Sequence, residues 1–340
     1  MMQIFSLLEI PDLVRAGSVC SSWHAAYTSL CATAHSKLKQ TPCLLYTSES
    51  IGDRAMGLYS LAEKKAYTLT VPDPPIQSRE VIGSSYGWII TADERSELQL
   101  LNPITGDQIA LPSVTTIEQV GPIYDDVGTL CEYEYSRHSA DCIVGTTATR
   151  ELASVFSDRS TKSYIVVLIH NPICQLSFTR IGDSEWTWLP PSADYEDCIY
   201  IDGVFMKNYI YERMYIVQTP SGDVLQVWRE QDIAPRDAEG EGVIDPSEIK
   251  TETRKIIVYK VNMAKKELVQ IDNLKANHAY LTDNDECIAS WKSNCRNIGV
   301  FSLGNGSTEE ILPPQLWCTW PAPIWITPNL TNLSSGSNDM

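Results

Sequence analysis

Apolar residues recur along this chain with two different periods, and the change between them divides it. In residues 4–27, IFSLLEIPDLVRAGSVCSSWHAAY, the residues Leu13, Ala16, Cys20, Trp23 and Tyr27 follow one another at spacings of three and four. That pattern lines one face of a helix or of a kinked helix pair. Pro11-Asp12 is the start signal, because a carboxylate at the N-cap accepts free backbone N–H groups and suits the positive end of the helix dipole. Gly17 interrupts the stripe at a cost of about 1 kcal/mol relative to alanine, so tertiary packing is expected to offset it.

From about residue 43 the pattern changes to short β-type runs separated by turn signals. One unit runs from Tyr86-Gly87-Trp88-Ile89-Ile90-Thr91 through Leu98-Gln99-Leu100-Leu101 to the turn Asn102-Pro103-Ile104-Thr105-Gly106, and closes at Ala110-Leu111-Pro112. Proline presets φ and glycine accepts φ > 0, which makes that stretch a turn. The order returns loosely over 165–191, over 198–230 with a turn at Pro220-Ser221-Gly222-Asp223, and over 255–313. Such sets fit the blades of a β-propeller, each a small antiparallel sheet that must stack on neighbours. Blade periods of about 40 to 50 residues predict about six blades. A pair of packed β-sheets is the competing architecture. Residues 229–254 carry eight acidic side chains with proline and glycine and read as an exposed loop; residues 328–340 read as a frayed Ser/Asn-rich tail.

Composition narrows the function. With 43 acidic against 26 basic residues the net charge is -17, which repels nucleic-acid phosphates and anionic membrane surfaces. The 43% of hydrophobic residues, with nine Trp and sixteen Tyr, is enough for a packed core. Ten cysteines, among them Cys20, Cys43, Cys131 and Cys198, form neither a Cys-x-x-Cys pair nor a disulfide framework. No secretory leader pattern is read at the N-terminus, and no apolar run reaches the roughly 18 residues of a membrane span. A reducing nucleus or cytoplasm is the expected location. The sequons at Asn305, Asn329 and Asn332 then read as chance matches.

Ile4-Phe5 with Leu7-Leu8, Asp12-Leu13, Val19-Cys20 and Trp23 stand in the order found in the later part of an F-box, and the N-terminal segment resembles that module in a shortened form, beginning after its Leu-Pro opening. Farther on, GSSYGWIITADERSELQLLNPITGDQIALPSV, QLSFTRIGDSEWTWLPP, YEDCIYIDGVF, VYKVNMAKKELVQI and QLWCTWPAPIWITPN resemble successive landmarks of plant F-box proteins with a KIB-type β-propeller. The resemblance implies a mainly β fold, a propeller preceded by a small α-helical module. It divides the chain into a helical module at 1–36, a linker at 37–50, a propeller at 51–327 and a tail at 328–340. It implies a substrate-recognition subunit of an SCF-type (cullin-RING) E3 ubiquitin ligase. Ile4, Phe5, Leu8, Ile10, Pro11, Leu13, Val19 and Trp23 would bind a Skp-type adaptor, and through it a cullin, while the propeller holds a protein substrate. Two alternatives stand beside this reading. One is a degenerate paralogue whose propeller binds a partner without recruiting a ligase; the other is that the capped helix is only a domain's N-terminal cap.

Catalytic signals are weak. His24, His35, His138, His170 and His278 are scattered, without zincin spacing, and neither a nucleophile elbow nor a phosphate-cradling loop is present. Gly304-Asn305-Gly306 reads as a hairpin turn. Asp93, Glu94 and Glu97 could serve a propeller hydrolase if they converged on a pocket, yet their spacing suits a charged loop between strands better. No catalytic residue, cofactor or metal is therefore expected. Trp186 with Trp188, and Trp317, Trp320 and Trp325, read as blade-packing residues. Partner specificity is expected in loops such as Asp93 to Glu97 and Tyr124 to Glu134.

Overall fold

The computed structural model describes residues 2–5, 7–8, 10–33, 41–136, 142–145, 152–158, 163–170, 175–189, 195–201, 204–209, 214–218, 223–235, 249–262, 267–271, 278–282, 298–311, 321–329 and 333. Three helices come first: α1 (Met2–Phe5), α2 (Ile10–Gly17) and α3 (Ser21–Thr33). The predicted stripe is thus a kinked pair, broken at residues 18–20. Asp12 lies inside the first turn of α2 and not at its N-cap; its carboxylate instead accepts a 2.9 Å bond from Arg15 one turn on.

Antiparallel sheets follow. The first blade holds β1 (Cys43–Tyr46), β2 (Ala55–Ser60) and β3 (Lys65–Thr70), and the second β4 (Glu80–Ser85), β5 (Trp88–Ala92), β6 (Leu98–Leu101) and β7 (Gln108–Ala110). A three-stranded meander comes next, β8 (Val120–Tyr124), β9 (Leu130–Ser136) and β10 (Cys142–Gly145). The third blade is β11 (Leu152–Asp158), β12 (Ser163–His170), β13 (Gln175–Arg180) and β14 (Thr187–Trp188). A hairpin of β15 (Tyr195–Ile201) and β16 (Val204–Tyr209) leads to the fourth blade, β17 (Met214–Gln218), β18 (Val224–Pro235), β19 (Ile249–Asn262) and β20 (Glu267–Gln270). The fifth has β21 (His278–Leu281), β22 (Gly299–Ser302) and β23 (Thr308–Glu310). Finally β24 (Ile324–Ile326) pairs with β1, so the first blade joins strands from both ends of the chain.

Period-two alternation makes each blade two-faced. On β5, Ile89 packs with Leu45, Leu58 and Leu101 toward the first blade, while Trp88 and Ile90 face a second cluster containing Leu100, Val166 and Leu168. On β12, Val166 and Leu168 join that second cluster, and Ile165, Val167 and Ile169 turn the other way, toward Cys198 of β15. On β1, Leu44 and Tyr46 meet Ile298 and Trp325. Burial on both faces is why SYIVVLIH and CLLY read as unbroken apolar runs and not as alternating ones.

About six blades were expected; five are found among the described residues, and two segments account for the difference. The meander β8–β10 stands outside the ring, because β4 packs directly on β11: Ser85 Oγ donates 2.7 Å to the Val155 carbonyl, and Ser84 on the same strand donates 2.7 Å to the carbonyl of Trp325 on β24. The hairpin β15–β16 touches both β11 and β17 and has two strands among the described residues. The repeat units read from sequence shift accordingly: 198–230 spans the hairpin and part of the fourth blade, and 255–313 spans parts of the fourth and fifth.

Other boundaries move too. The predicted linker at 37–50 contains β1, a fully buried strand of the first blade. Much of the predicted acidic loop 229–254 is strand: β18 and β19 pair from Leu225↔Lys260 as far as Pro235↔Ile249, helped by the Thr and Ile residues that favour strands. Arg229 is buried there, its Nε donating 2.9 Å to Thr253 Oγ1; residues 236–248 lie outside the described residues. The predicted tail begins on the core, with Leu333 buried in the cluster of the second and third blades. Gly87 allows this approach: its φ is +78°, and a Cβ there would lie 2.5 Å from the Asn329 nitrogen.

The turns form where proline, glycine and asparagine place them. Asn102 Oδ1 accepts from the N–H groups of Ile104 (3.0 Å) and Thr105 (3.2 Å), between β6 and β7. Residues 303–305 turn between β22 and β23, with Gly306 at φ +68°.

Candidate adaptor-docking surface

The three helices build a small core of their own. Phe5, Leu13, Ala16 and Leu30 are buried in it, flanked by Leu8, Trp23, Ala26 and Tyr27. Phe5 and Trp23 meet edge to face, centroids 5.4 Å apart at 73°, the arrangement the ring quadrupoles favour. Gly17 explains itself here, since a Cβ would fall 2.7 Å from Cγ of Tyr27. The glycine lets α3 cross close over the end of α2, and this packing offsets its poor helix propensity.

That core divides the residues expected to reach an adaptor. Phe5, Ile10 and Leu13 are buried and Leu8 and Trp23 are half-buried, whereas Ile4 at 65% and Val19 at 64% exposure face solvent. Pro11 sits in the first turn of α2, where its missing N–H leaves no bond unmade. Leu7, which the motif includes but the expected adaptor contacts do not, is 84% exposed, one turn beyond Ile4 and joined to it by a 3.1 Å backbone bond. The signal was its spacing of three from Ile4. Cys20, beside Val19, is exposed, and its thiol titrates below the ordinary cysteine value because the Ser22 hydroxyl, then the Trp23 N–H, favour the thiolate.

The helical module reaches the first blade through a cation–π contact. Arg15 on α2 places its guanidinium 4.1 Å from the centroid of the Tyr67 ring on β3, and Lys65 Nζ lies 5.2 Å from the same ring.

The loops expected to carry specificity are built differently from a catalytic site. Asp93 Oδ1 accepts 2.9 Å bonds from the N–H groups of Arg95 and Glu97, and Glu97 Oε1 accepts 2.7 Å from Ser113 Oγ. These two carboxylates hold the β5–β6 loop in shape. Tyr133 on β9 donates its hydroxyl to the Arg95 carbonyl, and its pKa is pushed up to about 12 by burial, then by the charges of Glu97 and Asp93. Residues 130–134, counted with the second loop, belong to β9.

His170 Nε2 lies 2.9 Å from Ser177 Oγ, but both side chains are wholly buried, so this pair is closed to an external substrate. Among the described residues no group of three or more His, Cys, Asp or Glu could hold a metal ion, and no helix is long and apolar enough to cross a membrane. Trp186 donates its indole N–H 2.8 Å to the Pro112 carbonyl, and Trp325 donates 3.0 Å to Leu281, both in packing positions. Trp317 and Trp320, His35 and His138 lie outside the described residues.

Comparison with known proteins agrees with this division. The F-box-like family model matches residues 1–30, and the KIB1-4 beta-propeller model matches residues 58–212. A protein of Arabidopsis thaliana named as an F-box protein, At4g22180, is 26% identical over 208 residues, 58% of this chain and 48% of that one. The Arabidopsis F-box/kelch-repeat protein At1g57790 is 24% identical over 68% of this chain and 56% of that protein. F-box/kelch-repeat protein KIB1 of the same plant is 26% identical over 61% and 47%. The chain spans about half the length of these relatives. The helical start of the chain thus resembles the F-box-like family over residues 1–30, and its first blades resemble the KIB1-4 β-propeller family over residues 58–212.

Proposed function

We infer that this protein is the substrate-recognition subunit of an SCF-type ubiquitin ligase. The observation that carries the reading is the self-contained helical core, which leaves Ile4, Leu7 and Val19 outside it and free of the propeller clusters. In this reading they dock on a Skp-type adaptor, with Leu8 and Trp23 at the margin, while Phe5, Ile10 and Leu13 hold the helices in shape. Burying three such side chains contributes about 5 to 9 kcal/mol gross. Association itself costs a comparable amount, so each of the three matters to whether a complex forms.

The propeller holds a protein substrate, and the chain's own residues perform no chemistry. Rate acceleration comes from proximity, by keeping an acceptor lysine near a charged conjugating enzyme. Co-expression with a Skp-type adaptor tests the reading: the two proteins co-elute on size exclusion if it is right. A chain that stays alone while its propeller remains folded supports the other reading, a binding propeller without a ligase.

A further inference from the structure

The meander β8–β10 contributes nothing to ring closure, because β4 and β11 pack without it. Its inner face is fixed: Val120, Tyr133 and Tyr135 are buried in the main cluster. The β8–β9 tip and the outward positions of β9 are exposed. Glu132 and Glu134 alternate outward on β9, and beyond them Tyr124 is 58% and Val127 89% exposed. Val127 is the most exposed large apolar side chain among the described residues. The turn that carries it is built: Asp125 Oδ1 accepts from the N–H groups of Val127 (2.9 Å) and Thr129 (2.7 Å), and the Asp125 N–H donates 2.9 Å to the Thr129 carbonyl. An aliphatic knob held out on a fixed turn loses little entropy on docking.

Charge says what docks there. Residues 120–136, which make β8, its turn and β9, include no Lys or Arg, while Asp125, Asp126 and Glu132 are acidic and exposed. The aromatic and the aliphatic side chain thus share their hairpin with exposed carboxylates, and like charges set side by side repel unless a partner brings the opposite sign. Nucleic acid and anionic lipid carry the wrong charge for this face.

We propose that the β8–β9 tip and the outward positions of β9 are a docking surface for a lysine- or arginine-rich segment of a partner protein that also offers apolar side chains to Tyr124 and Val127. This deepens the substrate-holding half of the proposed function and rests on it. The test omits the adaptor, so its failure and a failure of adaptor docking are read separately.

The probe is a short fluorescein-labelled peptide of alternating lysine and leucine, titrated against the full chain by anisotropy. Asp126→Lys with Glu132→Lys is expected to weaken binding at least about tenfold. Tyr124→Ser with Val127→Ser is expected to weaken it by a similar factor, and Glu49→Lys with Asp53→Lys, the same charge change on exposed residues of the first blade, by less than about twofold. All six substitutions fall on exposed side chains, and unchanged thermal melting confirms that the variants fold. No binding by the parent chain, an equal loss from the first-blade pair, or full binding by the Tyr124/Val127 variant would overturn the proposal.

Discussion

Arg15 on the helical module and Tyr67 on the first blade meet, the guanidinium lying 4.1 Å from the centre of the phenol ring. Arg15 is oriented for it by the 2.9 Å bond to Asp12 on its own helix. Tyr67 is half-buried, and a cation over such a ring stabilises by about 1 kcal/mol, enough to bias an orientation severalfold and too little to lock it.

Replacing Tyr67 separates ring from hydroxyl. The Tyr67 oxygen is buried without a hydrogen-bond partner, so Tyr67→Phe is expected to keep the contact and leave stability unchanged or raised by up to about 1 kcal/mol. Tyr67→Ala is expected to broaden the distance distribution between dyes on α3 and on the first blade. Equal distributions for the alanine variant and the parent chain would show that the contact does not set the orientation.

The seam between the second and third blades depends on a missing side chain. A Cβ on Gly83 would lie 1.8 Å from the Ala153 carbonyl oxygen, a backbone atom that cannot turn aside. Gly83→Ala is expected to cost about 3 kcal/mol or more in chemical denaturation. Gly106→Ala makes an informative contrast, since nothing lies within 4 Å of its Cβ and only its φ of +77° is strained; it should cost less.

The chain end contributes to the core. Leu333 is 2% exposed in the cluster of the second and third blades, and the Asn329 carbonyl accepts 3.1 Å from Asn102 Nδ2. Leu333→Ala is expected to lower stability by about 2 to 4 kcal/mol. An unchanged denaturation midpoint would place this leucine in solvent.

Tyr133 gives stability an alkaline limit. Its folded pKa of about 12 stands above the ordinary tyrosine value of 10, through burial first and the charges of Glu97 and Asp93 second. The folded state therefore holds the proton more tightly than the unfolded one, so its contribution is complete below pH 10 and is lost as pH rises from about 10 toward 12. Tyr133→Phe removes this dependence but also the bond to the Arg95 carbonyl. Denaturation midpoints across that window check the difference: the parent chain should lose more stability than the variant.

Sequence patterning revealed what is local. The strands around Trp88 and Val166, the turn at Asn102 to Gly106 and the helical stripe through Leu13, Ala16 and Trp23 each follow from residues within a few positions. What it hid is set by contacts far apart in sequence. Nothing near Val120 announces that its meander leaves the ring, because that is decided by Ser85 meeting Val155 across 70 positions. A single leucine in a Ser/Asn-rich segment gives no periodicity, so Leu333 was invisible. At the docking surface the family's residue order identified the module, but only packing separates Phe5 and Leu13, which hold it together, from Ile4, Leu7 and Val19, which face outward.

The central claim is that these outward side chains form a docking face for a Skp-type adaptor. The most direct measurement is the affinity of a purified Skp-type adaptor for the parent chain and for Leu7→Asp with Val19→Asp, by isothermal titration. Both positions are solvent-exposed, so the variant should fold and melt like its parent. The account predicts saturable binding by the parent and a loss of at least about a hundredfold in the variant; equal affinities, or an adaptor that binds neither folded protein, would contradict it.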